Sequence, residues 1–224
     1  MSGTGAAPVA PTAGAGDALG VGWTGRVMQI LHVVTALIAV NLMFLAGTLL
    51  GLGILGVMPA SVAAAAVLRR DDLLAGTADD GLVRTFVATY RAEFVRANLT
   101  GIPFAIAGML LAADAVLLPQ LRGPASAVLL VLTGALALAV VASGTVAVVL
   151  LSRYQDPPRA LLRYAVVLPL TFPTTAAAVL TVLAAWAVIG SIAPVVLPLV
   201  GAAVPLAAAV RLIGARLDRV ERAG

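Results

Sequence analysis

Apolar residues in this chain come in long unbroken runs, and polar residues collect between the runs. From Ile30 to Leu68 no formally charged side chain occurs, with only His32 able to become one. One helix crosses the hydrocarbon layer in about 20 residues, so this run is too long for one crossing and just long enough for two. Gly47, Gly51, Gly53 and Gly56 mark its middle. Pro59 suits the first turn of a new helix, where a missing N–H costs nothing. The pattern predicts a tight hairpin with helices near 28–50 and 58–70. The alternative is one crossing followed by a re-entrant segment. Four further apolar runs follow, near 99–118, 125–151, 164–189 and 195–213, separated by turns at 119–124, 152–163 and 190–194. Asn98, Gly101 and Pro103 predict a break before the first of these. Asp156-Pro157 reads as N-cap then first helical residue, and Pro169 and Pro173 predict kinks.

Between 69 and 98 the period changes. Leu82, Phe86, Tyr90 and Phe94 recur every four residues, with Arg84 and Arg91 on the other side. This is an amphipathic helix of about 79–97, lying at a membrane surface or against a bundle. Thr77 and Asp80 have the spacing of a capping box at its start. Glu93 falls among the apolar positions. A carboxylate there wants a partner, and Arg96 three residues on is the nearest candidate.

Composition fixes the solvent. Of 224 residues, 62% are apolar and 11% charged, and mean hydropathy is +1.10. Soluble domains run about a quarter charged, so the chain reads as an all-α, polytopic membrane protein. Five to six transmembrane helices are expected beside the amphipathic one. The runs do not alternate as a membrane β-barrel requires. Residues 1–24, rich in Gly, Ala, Pro and Thr, are expected to be a disordered tail. Residues 25–216 form one helical membrane domain, and 217–224 a cytoplasmic tail.

The net charge of +4 comes from arginine alone, since the chain has no lysine. The arginines sit between runs, so the positive-inside rule explains them better than nucleic acid does. Segment 69–98 holds five, 119–124 one, 152–163 three, 190–194 none and the C-terminal segment four. High counts alternate with low, so 69–98, 152–163 and the C-terminus are expected in the cytoplasm of a bacterium, with the chain in its inner membrane. A hairpin in the first run gives six crossings and an internal N-terminus. A single crossing gives five and an external one.

No motif of a soluble enzyme is present. There is no phosphate loop, no HExxH, no acidic calcium loop and no cysteine, so no enzyme activity, cofactor or metal is expected. His32 paired with Ser143 would be the one conceivable nucleophilic couple, and a polar histidine near a helix end is the simpler reading. Asp114 is the only acid inside an apolar run. Such a group could line a solute or proton path, or could sit at the interface paired with Arg122. Asn41 in the first span could bridge helices or touch a ligand. Gly47 and Gly51 form a small-xxx-small pair that could pack the hairpin or a second protomer. The stripe Phe86, Tyr90, Phe94 with Glu93 could anchor the helix or dock a partner protein. The docking element of ABC importer permeases does not match, because the Ala-Ala after its glutamate is missing.

Gly56, Pro59 and Ala60, then Arg69 and Arg70, then Phe86, Tyr90, Glu93 and Phe94, then Asn98 and Gly101 follow one pattern, which Asn41-Leu42 extends. This pattern resembles the YesL family, bacterial membrane proteins of unknown function. The match covers about 40–101. Beyond Leu118 only hydropathy and loop placement agree. The resemblance implies an accessory component of carbohydrate uptake, encoded beside sugar ABC importers, with permease subunits as possible partners besides the lipid bilayer. It supplies no catalytic residue. Two functions therefore stand: an accessory protein using Phe86, Tyr90, Glu93 and Phe94 to dock a partner, or a small-solute transporter with a path past Asn41 and Asp114. A water-filled cavity at Asn41 would favour the second, and a dry core the first.

Overall fold

The computed structural model describes residues 17–70, 81–120 and 124–222. Eight α-helices are described: α1 (Asp17–Leu50), α2 (Ile54–Leu68), α3 (Gly81–Leu117), α4 (Pro124–Arg153), α5 (Pro158–Thr171), α6 (Pro173–Ile192), α7 (Val196–Val200) and α8 (Ala203–Glu221). A 3₁₀ turn, Leu118–Gln120, follows α3. No strand occurs among the described residues. The chain is a polytopic helical membrane protein. Large side chains such as Leu50, Leu110, Val131, Leu170 and Ile192 point outward at 63–81% exposure, which water would penalise and acyl chains accept.

Among the described residues, four helices are long and apolar enough to cross a bilayer: Gly25–Leu50 of α1, α3, Ser126–Arg153 of α4, and α6. The hairpin expected in the first run is present as α1 and α2. Its turn is closed by its own backbone: the N–H groups of Gly51, Leu52 and Gly53 donate to Gly47, Leu49 and Thr48. Glycine is required here, because a Cβ at Gly51 would overlap the Gly56 backbone and one at Gly56 would overlap Thr48. At 15 residues, α2 is about 22 Å long, shorter than a hydrocarbon layer. Pro59 lies inside α2 rather than at its start.

The expected break near Asn98, Gly101 and Pro103 is absent. The amphipathic segment and the next span are one 37-residue helix with Pro103 inside it. Asn98 and Thr100 donate back to the carbonyls of Phe94 and Arg96. Gly101 sits so close to Met58 of α2 that a Cβ there would collide with it. Close packing of this kind keeps a proline-containing membrane helix intact. After α4, Pro157 rather than Asp156 is the N-cap, with extended backbone, and α5 starts one residue later than expected. The expected kink at Pro173 is a full break: Phe172 leaves helical geometry and Pro173 begins α6, while α5 continues through Pro169.

The last run is also split, with Gly201 and Ala202 between α7 and α8. Two clusters make the core. One joins α2, α3, α4, α5, α6 and α8 around Val149, Leu151, Leu161 and Ile213. The other joins α1, α2, α3 and α8 around Val40, Ala63, Val67 and Phe86. Of the expected tail, residues 1–16 lie outside the described residues, and α1 is described from Asp17. The expected capping box at Thr77 and Asp80 also lies outside them.

Candidate functional site

Two polar constellations stand out in this apolar bundle. The first is built on Asn41 of α1, whose side chain is fully buried. Its Nδ2 donates to Pro198 O at 2.7 Å and more distantly to Leu197 O at 3.5 Å. Its Oδ1 accepts from the N–H of Ala202 at 2.8 Å and of Ala203 at 3.3 Å. A continuous helix would join Pro198 O directly to Ala202 N–H. The carboxamide is inserted into that bond, a recognised cause of a sharp helix bend. Pro205 explains why the break is here: without an N–H it cannot donate to Gly201 O. Trp186 of α6 takes its place, donating from Nε1 to Gly201 O at 2.8 Å. The backbone groups freed at 198, 201, 202 and 203 thus all have partners.

The second constellation lies where α2, α4 and α8 end and α3 passes. The last carbonyls of a helix have no partner within it and carry partial negative charge. Two arginines cap those of α4. Arg69, the C-cap of α2, donates to Ser152 O. Arg96 of α3 donates from Nη2 to Leu151 O at 2.9 Å and Tyr154 O at 2.7 Å, and from Nη1 to the Gln155 side chain at 3.2 Å. Glu93 is 7% exposed. Its Oε2 is 2.6 Å from Arg96 Nε, the partner its spacing asks for, and Gln155 donates to its Oε1 at 3.2 Å. Arg153 then ties α4 to α8 through Asp218 and, at 2.9 Å, Glu221. Tyr154 also donates to Glu221. Burial and that hydrogen bond hold the Tyr154 phenol above its ordinary pKa. On α8, Arg216 stacks over the Phe172 ring at 4.2 Å. Arg69 and Arg96, the end of α4 at Arg153 and Tyr154, and the last turns of α8 therefore meet at one end of the bundle.

The aromatic stripe faces inward. Phe86 is 4% exposed and stacks on Tyr90 at 6.1 Å, and Tyr90 meets Phe94 edge-on at 5.6 Å. Tyr90 donates its hydroxyl to Gly47 O at 2.8 Å. A Cβ on Gly47 would lie 3.2–3.3 Å from Tyr90, Phe86 and Ala60. Gly47 and Gly51 thus serve contacts within the chain. Phe86 and Glu93, expected on a docking face, are consumed by internal packing. The outward side of the same helix carries Val83, Arg84, Val87 and Arg91. Pro59 and Ala60 are buried in α2. Asp114 is partly exposed, three residues before the end of α3. Its expected partner Arg122 lies outside the described residues. Ser143 is buried in α4, and His32 lies on an exposed stretch of α1. No group of three metal-ligating side chains occurs among the described residues.

The sequence singled out Asn41, and it singled out Glu93 with Arg96. It missed the roles of Trp186, Pro205, Arg69 and Arg153, which depend on which helix ends meet. A cavity of about 300 Å³ lies among Phe44, Met58, Ser61, Gly144, Thr145 and Pro205, and neither Asn41 nor Asp114 lines it.

Residues 37–115 match a family described as "Protein of unknown function, DUF624". The uncharacterized protein YteU of Bacillus subtilis (strain 168) is 35% identical over 97 residues. That alignment covers 43% of this chain and 43% of the relative, so the matched part spans less than half of either protein. No solved structure matches the chain.

Proposed function

We propose that this chain is an accessory protein of a bacterial inner membrane that performs no chemistry and no solute transfer of its own. In this reading its arginine-bearing end faces the cytoplasm and it associates with permease subunits of a carbohydrate ABC importer. The observation that carries the first part is the fate of Asn41. The polar side chain best placed to line a path has all its hydrogen-bonding capacity engaged by the backbone of residues 197–203. It is fully buried, so its carboxamide does not face a path through the bundle. The association with sugar uptake rests on what the YesL-like pattern of Gly56, Pro59, Tyr90, Glu93, Asn98 and Gly101 implies, while the family matched at residues 37–115 is itself of unknown function.

The docking face is then the outward side of the first turns of α3, with Arg84 and Arg91 as its charged contacts. The inward aromatic stripe holds that face in place. The test is affinity purification of the tagged chain from cells that express neighbouring permease genes. Permease subunits should co-purify, and Arg84→Glu with Arg91→Glu should release them while the fold persists. Absence of permease subunits under cross-linking would sink the reading, as would solute flux through the purified chain that Asp114→Asn abolishes.

A further inference from the structure

We propose that the α1–α2 hairpin enters the bilayer from the arginine-bearing end and turns back inside the hydrocarbon layer, so that its tip is a surface for acyl chains and not an aqueous loop. The chain then crosses the membrane through α3, α4, α5–α6 and α7–α8 only.

Depth along the bundle follows from which residues sit side by side. Arg69, the C-cap of α2, reaches Ser152 in the last turn of α4. Met58 and Ser61 share a cavity with Val141, Gly144 and Thr145. α2 and α4 therefore run in the same direction in one register, with their C-terminal ends level. From Arg69 back to the turn at Leu52 is about 25 Å. The 30 residues of α4 extend about 45 Å, so α4 runs on for about 20 Å past the turn. α3 agrees. It is antiparallel to α2, since Gly101 abuts Met58 and Arg70 donates to Thr85 at 3.4 Å. From the Gly101 contact α3 continues about 24 Å to Leu117, while α2 continues only about 9 Å to the turn.

Both helices stay apolar over that extra length. No charge occurs from Pro124 to Leu151, and Val128, Leu130 and Val131 of α4 and Met109 and Leu110 of α3, all beyond the turn, point outward. Such side chains need acyl chains around them, so the hydrocarbon layer continues past the hairpin. A bilayer is about 40–45 Å thick with its headgroups and about 30 Å without them. α4 fits the whole of it, and the turn falls a little beyond its middle. Asp114, the first charge on α3 past the turn, lies about 10 Å further out.

The tip is built for that depth. Leu49, Leu50, Leu52 and Ile54 are 72–88% exposed, which is costly in water and not in lipid. Leu52 has φ 57°, a conformation where Gly or Asn is usual and a bulky apolar residue is not. The turn also closes its own backbone. Ile54 donates to Leu52 O, and Gly56 and Val57 donate to Gly53 O, as backbone out of reach of water requires. α1 enters at the level where α2 leaves, since Ala36 packs in one cluster with Val67 and Leu68. Trp23 and Arg26, side chains of a membrane interface, precede it in α1.

The experiment uses the full chain in vesicles of phosphatidylglycerol and phosphatidylcholine. Single cysteines carry a nitroxide at Leu50, at Leu52, at Val131 as a marker of the hydrocarbon core, and at Gln120 and Arg159 as markers of the two ends. Collision with oxygen, which concentrates in hydrocarbon, is compared with collision with a water-soluble nickel chelate. The Leu50 and Leu52 labels should match Val131, with frequent oxygen and rare nickel collisions. Gln120 and Arg159 should show the reverse. Depth measured this way is independent of which end faces the cytoplasm. Thermal unfolding in the same vesicles gives a second reading. Leu52→Asn should lower Tm and Leu52→Gly should not, whereas in an aqueous turn both would relieve the left-handed conformation. Nickel collisions at Leu50 and Leu52 as frequent as at Gln120 make the hairpin a full crossing and overturn the proposal. A Leu52→Asn protein as stable as Leu52→Gly overturns it equally. Either leucine suffices for the depth measurement, so a label that disturbs the fold at one position does not remove the test.

Discussion

Replacing Asn41 by leucine removes the clip between α1 and the α7–α8 break while keeping nearly the same volume. Little cavity cost enters, and the change reports mainly on hydrogen bonds. Two of the four contacts are short, to Pro198 O at 2.7 Å and from Ala202 N at 2.8 Å. Leu197 O keeps its other partner, the N–H of Gly201 at 2.8 Å. The variant therefore strands one carbonyl and one or two N–H groups in an apolar core. Leaving a buried group unpaired costs about 1–3 kcal/mol, which puts the loss near 3 kcal/mol. Hydrogen bonds between membrane helices average about 0.6 kcal/mol, which sets a floor near 1 kcal/mol for two. The assay is reversible unfolding in mixed micelles of mild detergent and dodecyl sulfate. Asn41→Asp should also destabilise at neutral pH, since an ionised carboxylate would set negative oxygen against Pro198 O. If Asn41→Leu stays within about 0.5 kcal/mol of the parent, the break is not held by this side chain and the structural role given to Asn41 fails.

Other consequences can be checked in the same assay. Trp186→Phe should cost about 1 kcal/mol by stranding Gly201 O, and less in a Pro205→Ala background, where the backbone N–H returns; equal costs in the two backgrounds would refute the assignment. Arg96→Met should cost about 3–5 kcal/mol because Glu93 stays buried without its counter-charge, and adding Glu93→Gln should recover part of it. Gly51→Val should prevent the hairpin from closing and appear as loss of folded protein on size-exclusion chromatography, whereas Gly53→Ala, in open space but at φ 78°, should be milder. The raised Tyr154 phenol contributes stability that is fully present below about pH 10 and is lost as pH rises through its folded value; Tyr154→Phe should flatten stability against pH in that range.

Much of the architecture could be read from the chain because bilayer physics is severe. Charge-free runs must be helices, and glycines at 47, 51, 53 and 56 had to mark a close turn. Glu93 and Arg96 were paired by helical spacing alone. The proline signals were read less well. Pro103 did not end its helix because Gly101 lets α2 press against α3 at Met58, a tertiary contact that no local rule contains. Pro205 did create a break, visible only once Trp186 and Asn41 are seen to supply the missing partners. The period of four at Phe86, Tyr90 and Phe94 found a face correctly but not what it faces. Arg69 and Arg153 looked like ordinary juxtamembrane charge, and their work as helix caps and ties appears only when the end of α4 is placed between α2 and α8.

Because the chain has no cysteine, single cysteines placed at Arg91, Arg159 and Arg219 can be probed against a silent background with a maleimide that cannot cross membranes. All three should stay unlabelled in intact cells and label together once the membrane is opened. Labelling of any one of them from outside intact cells would contradict the shared location of the arginine-rich segments, and with it the membrane arrangement from which the rest is derived.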